Sequence, residues 1–399
     1  METVPAAPTA PTRTCSSRSG LSWGRRASTT KRGTSRRLWP ACASPTTSSP
    51  CTSCASRGSR RAVSEARLGL PALPEDAPVA ALRRGDLVES VHRGRYAVVD
   101  PNGEELDSLG DTEGYVYMRS SAKPFQALPI VFSGAADVFG FTDEELAVAC
   151  ASHNGEPRHL AAVRSILRRV GLSEDDLQNG LHPPMHAPSA SRLAKTGEEP
   201  RAIHGNCSGK HAGMLAVCVH AGWDPAGYRD PEGPLQKLIL RTVATVCGVE
   251  PGDVHLAGDG CGVPVFALPL ERMALGFARL AAGGAEGFPN DLREALGRVR
   301  DAMRAHPYLV AGTGRLDTKL MEGTNLVAKS GAEAVFAAAS TADSPWGMAL
   351  KVSDGAGRAL APAALGALAR QGVRVPQNLA SSPVADLRGE AVGEIVPLL

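Results

Sequence analysis

The stretch Tyr115–Pro124, YVYMRSSAKP, decides how the fold is interpreted. Its first four residues, Tyr115–Met118, are typical of a short strand. A helix is expected to begin directly afterwards, because a proline is tolerated only among the first helical positions. With Ser120 as the N-cap, Pro124 is the fourth helical residue. The sequence therefore predicts a strand-to-helix turn that places Ser120 at the positive end of a helix dipole, with Lys123 over the same turn.

Together with residues 120–123, two further short strings form an ordered set. Residues 120–123 match S-x-x-K, residues 152–154 match S-x-N, and residues 329–331 match K-[ST]-G, the set used by serine acyl-transfer enzymes. A lysine one helical turn from a serine takes its proton when a dry, cationic neighbourhood lowers the pKa of the lysine. Ser152 adds a hydroxyl that relays protons, and the Asn154 amide can hold a substrate carbonyl or Lys123. The three strings predict an amide or acyl hydrolase.

Charge divides the chain into two segments. The formal net charge is +2, but residues 1–74 hold 12 Lys plus Arg against two glutamates, and the remainder carries a net charge of −8. We predict a disordered, basic, Ser/Pro/Arg-rich leader over residues 1–76 and one domain over residues 77–399. The leader composition is also compatible with a transit peptide, a mis-assigned start or a basic arm that attracts phosphate. No nucleic-acid partner is expected.

Cysteine use and hydropathy indicate a cytoplasmic protein. No apolar run approaches the roughly 18 residues of a membrane helix, and the leader has no secretory h-region. Five of the nine cysteines lie in the predicted domain and are expected to be thiols or metal ligands rather than disulfides: Cys150, Cys207, Cys218, Cys247 and Cys261. The C-x-x-C string at residues 51–54 has no second pair, so we interpret it as incidental.

The body of the chain is expected to be α+β. Segments 87–92 and 96–100, with Gly94 between them, predict antiparallel hairpins. Further strands are predicted at 254–256, 333–336 and 347–352, and helices at 143–150, 157–170, 208–222, 234–247, 266–281 and 291–305. Strands at both ends with helices between them predict one antiparallel sheet, built from N- and C-terminal strands and covered by a mainly helical region.

A second constellation lies at Asn206–His211 and Asp259–Gly262. A phosphate loop is excluded, because no glycine precedes Gly209-Lys210 at the required spacing. Cys207 and Lys210 share one face of a helix start. Together with Cys261 they could hold Zn²⁺, with the lysine as a neutral amine. From spacing alone, ordinary buried thiols are the favoured interpretation.

Six strings together resemble the Rhizobium-type (class 3, thermolabile) L-asparaginase family over about residues 78–372. They are residues 119–124, 150–157, 206–214, 259–264, 306–318 with His306-Pro307 and GTGRLDT, and 329–333. The resemblance implies a fold similar to serine β-lactamases and glutaminases. It also implies hydrolysis of L-asparagine to L-aspartate and ammonia, and a homodimer.

The resemblance also implies the roles of individual residues. Ser120 with Lys123, and Ser152 with Lys329, would be two Ser-Lys pairs. Zinc would be held by Cys207, Lys210 and Cys261, with water in the open position, and would help to bind substrate. The residues expected to help place the substrate are Arg119, Asn154, Asp259 and His211, the last also as a partner of the metal ligands. His153 is expected to be a structural hydrogen-bonding residue.

Several alternatives stay open. A penicillin-recognising hydrolase or a glutaminase would use the same three strings, and a non-catalytic zinc-stabilised module would keep the lysines as structural residues. Either Ser120 or Ser152 can be the nucleophile. Preference for asparagine over glutamine is not readable, because one methylene changes selectivity by only ~1–3 kcal/mol.

Overall fold

The computed structural model describes residues 73–376, 379 and 381–399. The chain divides into two units, Met1–Leu70 and Pro71–Leu399. The first unit, and with it most of the predicted leader and the C-x-x-C string at residues 51–54, lies outside the described residues. Asp76, the last residue of the predicted leader, pairs with Arg95 at 2.8 Å, next to the first strand.

The main sheet has eight strands, in the order β10-β11-β1-β2-β9-β8-β7, with β3 paired to β2. All of its pairings are antiparallel. Its strands are β1 (Ala77–Arg84), β2 (Leu87–Val99), β3 (Glu105–Leu109), β7 (Leu326–Gly331), β8 (Val335–Ser340), β9 (Trp346–Val352), β10 (Pro383–Ala385) and β11 (Ala391–Pro397). N- and C-terminal strands meet where Leu82 lies opposite Ile395. The predicted α+β architecture is confirmed.

One predicted hairpin is wrong. β2 runs unbroken from Leu87 to Val99, through Gly94, where the sequence suggested a turn. A Cβ atom at Gly94 would lie 2.4 Å from the backbone oxygen of Lys351 on β9. The glycine is therefore needed because two strands approach closely, and not because the chain reverses.

A smaller antiparallel sheet has the order β4-β6-β5. Its strands are β4 (Tyr115–Tyr117), β5 (His255–Gly258) and β6 (Pro264–Pro269). The helix predicted over 266–281 was therefore placed too early in the sequence, because its first residues belong to β6. β6 lies between two partner strands, and Pro269 ends it, so that the helix begins only at Leu270.

The helices lie between and around the sheets. They are α1 (Lys123–Phe132), α2 (Ala135–Phe139), α3 (Asp143–Ala149), α4 (Pro157–Arg169), α5 (Ala187–Thr196), α6 (Ser208–Ala221), α7 (Pro234–Cys247), α8 (Leu270–Ala282), α9 (Asn290–Ala305), α10 (Pro307–Val310), α11 (Leu316–Gly323) and α12 (Gly357–Arg370). α8 packs on β2, β8 and β9, and α12 packs on β1 and β11. The predicted helices at α3, α4, α6, α7 and α9 agree with the structure within two residues.

Small apolar residues fill the core. Ala337, Ala338 and Ala339 of strand β8, which lies between β9 and β7, are completely buried. Because helices approach the sheet closely there, larger side chains would not fit. Within the described part of the chain, no helix combines the length and the apolar character needed to cross a membrane.

Candidate active site

The turn after β4 is the first component of the site. Arg119 has φ of +50°, which is uncommon for a residue with a side chain. This conformation turns the chain from β4 into a 3₁₀ turn at Arg119–Ala122, after which α1 begins at Lys123. Ser120 therefore lies in the 3₁₀ turn and is not the N-cap of the helix. Pro124 lies in the first turn of α1, where no intrahelical N–H bond is lost.

Strand β7 is attached to this turn. The Ser121 hydroxyl donates a hydrogen bond to the backbone oxygen of Lys329 at 2.8 Å. A Cβ atom at Gly331 would lie 3.0 Å from the Met118 oxygen. Ser121, for which the sequence predicted no role, and Gly331 thus bring Lys329 beside the strand-to-helix turn.

The loop that carries Ser152 is fixed by its backbone. Three N–H groups in succession donate to other segments: Ser152 to Val310 O at 3.0 Å, His153 to Asn206 O at 3.1 Å and Asn154 to Ala311 O at 2.9 Å. These bonds hold the loop between α10 and the start of α6. The Ser152 side chain is only 4% exposed.

The Lys123 amine contacts Ser152 in this loop. Its Nζ lies 2.9 Å from Ser152 Oγ, 2.6 Å from Ala151 O, 3.4 Å from Asn206 O and 3.2 Å from Cys207 Sγ. Two N–H bonds of a neutral amine can go to the carbonyl oxygens, which leaves its lone pair for the Ser152 proton.

The expected Ser120–Lys123 pair has no counterpart among the hydrogen bonds of the described residues; the partner of Lys123 is Ser152. Burial is the main cause that lowers the pKa of Lys123, and the charge of Lys210 adds to it, against the thiols of Cys207 and Cys261. Of the dry, cationic neighbourhood that the sequence argument invoked, burial is the larger cause and the cation is Lys210.

Lys329 has a different environment. Its Nζ donates to Ser330 O at 2.7 Å and lies 3.8 Å from Asp317 Oδ2. Burial lowers the pKa of Lys329 to about 7, helped by the charges of Lys123 and Arg315 and opposed by Asp317. At neutral pH this amine is therefore poised between its charged and neutral forms.

Asn154 is held at both ends of its amide. Its Nδ2 donates to Glu156 Oε1 at 3.2 Å and to Thr313 O at 3.1 Å, while Arg315 Nη1 donates to its Oδ1 at 3.2 Å. Glu156 also accepts bonds from the Thr313 backbone and hydroxyl. These contacts give Asn154 a role in joining the Ser152 loop to the segment before α11, and they leave its predicted contact with substrate as a prediction.

Both buried histidines near the site have structural partners. Gly155 N–H donates to His153 Nδ1, so His153 carries its proton on Nε2, 2.9 Å from Ser208 Oγ. Burial holds the pKa of His153 well below its ordinary value. His211 Nδ1 lies 2.7 Å from the Tyr228 hydroxyl, and the ring is completely buried. Its Nε2 has no hydrogen-bond partner among the described residues, and the role of His211 in placing the substrate stays a prediction.

The three predicted metal ligands lie together. Lys210 Nζ is 3.0 Å from Cys261 Sγ. The two thiols act on each other: the Cys261 thiol is the main cause that lowers the pKa of Cys207 far below its usual value, and the Cys207 thiol is the main cause that raises that of Cys261. Burial opposes the charge of Lys210, but the thiols of Cys207 and Cys261 outweigh burial and raise the pKa of Lys210.

The donor set fits zinc. Two sulfur atoms and one amine nitrogen, all nearly buried, are ligands that Zn²⁺ accepts, provided that Lys210 loses its proton. Within the described residues, no group of three or more His, Cys, Asp or Glu side chains is arranged to hold a metal ion. Any zinc site here therefore needs the lysine as a ligand.

Arg119 and Asp259 form an ion pair beside the thiols. Arg119 Nε donates to Asp259 Oδ1 at 3.1 Å, and both side chains keep some exposure to solvent. Although burial opposes the charge of Asp259, Lys210, the Gly260 N–H and Arg119 lower its pKa. A cation and an anion thus lie next to each other within reach of solvent, as a zwitterionic ligand requires.

Comparison with known proteins gives the family. The model of the L-asparaginase II family matches residues 80–397. The chain belongs to the L-asparaginase II family. It is an amidohydrolase, and the predicted family resemblance is confirmed. No curated protein matches the sequence significantly.

Solved structures that match include two groups of enzymes. One is a probable glutaminase from Bacillus subtilis complexed with 6-diazo-5-oxo-L-norleucine, with 14% identity over 65% of this chain and 76% of the other and a TM-score of 0.31. Another is a β-lactamase from Mycobacterium bovis, with 15% identity over 70% of this chain and 95% of the other and a TM-score of 0.36.

Residues from five segments of the asparaginase domain converge on the site. Lys123 contacts Ser152 and Cys207, and Lys210 contacts Cys261. Lys329 and the Arg119–Asp259 pair adjoin this cluster, whereas Asn154 and His211 are engaged by other protein groups.

Two side chains with no predicted role also belong here, Arg315 and Asp317. Both lie in the GTGRLDT string, so the resemblance marked the segment without assigning either residue a function. No sequence signal places Asp317 beside Lys329, since the two residues lie on different elements, α11 and β7.

Proposed function

We propose that this enzyme hydrolyses L-asparagine to L-aspartate and ammonia through an ester to Ser120. The observation that supports the proposal is the 2.9 Å contact between Lys123 Nζ and Ser152 Oγ, inside a region where both side chains are nearly buried. A buried amine with a lowered affinity for protons is the base that a serine nucleophile needs.

The Ser152–Lys123 pair is proposed as the proton acceptor. The Ser120 hydroxyl gives its proton to Ser152, whose own proton moves to Lys123 Nζ, as Ser120 Oγ bonds to the side-chain amide carbon of asparagine. The same relay then returns a proton to the amide nitrogen, the C–N bond breaks and ammonia leaves. Water attacks the aspartyl ester with Lys123 as base, which releases aspartate and restores Ser120.

Two features favour Ser120 as the attacking residue. Its side chain is half-buried, whereas Ser152 is 4% exposed and already bonded to Lys123. Ser120 also lies in the 3₁₀ turn that follows the left-handed Arg119, and such irregular backbone is frequent at catalytic residues. Backbone N–H groups at this turn are proposed to bind the oxyanion.

The charged pair is proposed to orient the substrate. Arg119 would receive the α-carboxylate and Asp259 the α-ammonium group, because each offers the opposite charge near the mouth of the site. Zinc, when held by Cys207, Lys210 and Cys261, would supply a fixed positive charge that strengthens binding of the substrate. Its presence and a homodimeric assembly stay predictions.

The decisive experiment measures ammonia release from asparagine and glutamine, and the colour change on ring opening of a chromogenic β-lactam, for the full chain and for Ser120→Ala and Ser152→Ala. We expect activity on asparagine, its loss by about 10³-fold or more in both variants, and unchanged melting curves. Hydrolysis of the β-lactam instead of asparagine would overturn the proposed substrate.

Mass spectrometry of the trapped acyl-enzyme then separates the two serines. An adduct on the peptide that holds Ser120 is the expected result. An adduct on Ser152 would reverse their roles and leave Lys123, which contacts Ser152 directly, as the base.

A further inference from the structure

Asp317 is a buried carboxylate with one free oxygen. It is completely buried at the start of α11, and its Oδ1 accepts hydrogen bonds from the backbone N–H and the hydroxyl of Ser330. Its Oδ2 has no hydrogen-bond partner among the described residues. An unpaired, buried carboxylate oxygen is costly, and so it calls for a physical reason.

The nearest cation is Lys329, whose Nζ lies 3.8 Å from Oδ2. That distance is longer than a hydrogen bond, and the amine instead donates to Ser330 O at 2.7 Å. A small rotation of the flexible lysine chain would bring Nζ into hydrogen-bonding distance of Oδ2. Ser330 fixes the carboxylate through Oδ1, so it is the lysine that moves.

We propose that Asp317 is the counter-ion of Lys329 and a positioning residue for proton transfer, whose free Oδ2 receives the Lys329 ammonium whenever that amine carries a proton. In the neutral state Nζ donates to Ser330 O. When Nζ takes up a proton passed on by the Ser152–Lys123 pair, its lone pair becomes an N–H bond and the ammonium moves towards Oδ2. When the proton returns to the leaving nitrogen, the amine moves back. The catalytic part of this inference rests on the proposed function; the ion pair does not.

The surrounding charges support the need for a counter-ion. Lys123 and Arg315 both oppose a positive charge on Lys329, and burial opposes it more strongly. Cys207 and Asp317 favour it, and the neighbouring Cys150 thiol is itself kept protonated by burial. The Cys207 thiol also contacts Lys123, so it is shared between two amines. Among the described residues, Asp317 forms an ion pair with Lys329 and with no other cation.

The test is a direct titration of the Lys329 amine. The chain has only eight lysines, so the full-length protein labelled with ¹³Cε-lysine gives few signals, and Lys329→Met identifies the one required. In the wild-type protein we expect the Lys329 amine to titrate with a midpoint near 7, because burial and the neighbouring charges lower the pKa of Lys329 to about 7. In Asp317→Asn, which still accepts the Ser330 N–H, the midpoint falls by about one to three pH units.

A matched control removes a carboxylate elsewhere. Asp107→Asn breaks an ion pair with Arg370 on the far strand β3 and should leave the Lys329 midpoint unchanged. If Asp317→Asn does not fold, Asp317→Ser, which keeps a smaller oxygen side chain facing Ser330, takes its place. A Lys329 midpoint that stays the same in the Asp317 variant overturns the proposal.

Activity separates this inference from the proposed function. In Asp317→Asn, kcat/KM on asparagine should fall at least tenfold, and the acid limb of its pH profile should move to lower pH with the midpoint. If the midpoint shifts but even the wild-type chain does not hydrolyse asparagine, the proposed function fails and the ion pair stands. If asparagine is hydrolysed and the midpoint does not move, Asp317 is not the counter-ion.

Discussion

Three lysine side chains, Lys123, Lys210 and Lys329, are buried in one region of the molecule. A buried ammonium is costly unless an anion compensates it, so the partners decide the charge of each amine. Burial dominates at Lys123 and Lys329 and lowers their pKa, whereas two thiols outweigh burial at Lys210 and raise its pKa. One cluster thus holds two amines with a lowered affinity for protons next to one with a raised affinity, an arrangement that suits acid-base chemistry at neutral pH.

The pKa of Lys329 predicts a pH dependence. It is lowered to about 7, so below that pH the amine is charged and unable to accept a proton. We expect kcat/KM for asparagine to rise as pH increases through about 7 and to level off above it. Lys329→Met should abolish this limb. A flat profile between pH 6 and 8 in the wild-type enzyme would contradict a role for neutral Lys329.

The thiols permit a second prediction. Cys207→Ala removes one of three proposed zinc ligands and the thiol that contacts Lys123. We expect lost zinc in metal analysis and a rise in KM by about tenfold or more, larger than the fall in kcat. Cys218→Ala, a buried thiol on the same helix, is the matched control and should retain both metal and KM. An effect on kcat alone would argue against a substrate-binding role for the metal.

The helices that present these residues pack at short range. α6 carries Cys207 at its N-cap and Lys210 in its first turn, and it contacts α3 through Gly209. A Cβ atom there would lie 2.1 Å from Val148 O. The position of the thiol and the amine therefore depends on close contact between two helix backbones.

Two glycine substitutions test this packing. Gly209→Ala should lower the free energy of unfolding by about 1–3 kcal/mol, because the backbones must separate. In contrast, Gly297→Ala on α9, whose added Cβ would meet only the tip of Arg300 at 4.0 Å, should raise it by about 0.5–1 kcal/mol. Urea unfolding of both variants measures the difference. Equal effects would mean that α6 adapts without strain.

Periodic segments were predictable, but contacts between segments were not. The amphipathic pattern located α4 and α9 within two residues, since burial of one helix face acts locally on the sequence. Gly94 looked like a turn because the strand that approaches it, β9, is remote in sequence. The strand β6 was missed partly for the same reason: its partner β4 is remote in sequence, although its other partner, β5, directly precedes it.

In the site, too, residue types were predictable from the sequence, but contacts between segments were not. The three strings identified Ser120, Lys123, Ser152 and Lys329, because attack by a hydroxyl and proton transfer to an amine each need specific residue types. Which lysine bonds to which serine depends on the backbone of the Ser152 loop, held by remote carbonyl groups. The 3.8 Å approach of Asp317 to Lys329 likewise joins residues on different elements, α11 and β7, and spacing along the chain does not encode it.

The main sheet joins the two ends of the described chain. β11 adds to β1, with Ile395 opposite Leu82, and the Leu398 N–H donates to Val79 O at 3.0 Å. Since β1 also pairs with β2, the last residues complete the sheet whose opposite edge, β7, carries Lys329. The stability of the site's framework therefore depends on both ends of residues 73–399.

Deletion of residues 391–399 tests this closure. It removes β11 and the buried Ile395, and it leaves the edge of β1 unpaired, which we expect to cost at least about 5 kcal/mol, comparable to the whole free energy of unfolding of many domains. The shortened chain should aggregate or melt at least 10 °C below the full chain in circular dichroism. Val392→Ala, at an exposed position of the same strand, should change the melting temperature little. A shortened chain that melts like the full one, with unchanged asparagine hydrolysis, would mean that β1 through β9 suffice to hold β7 and Lys329 in place.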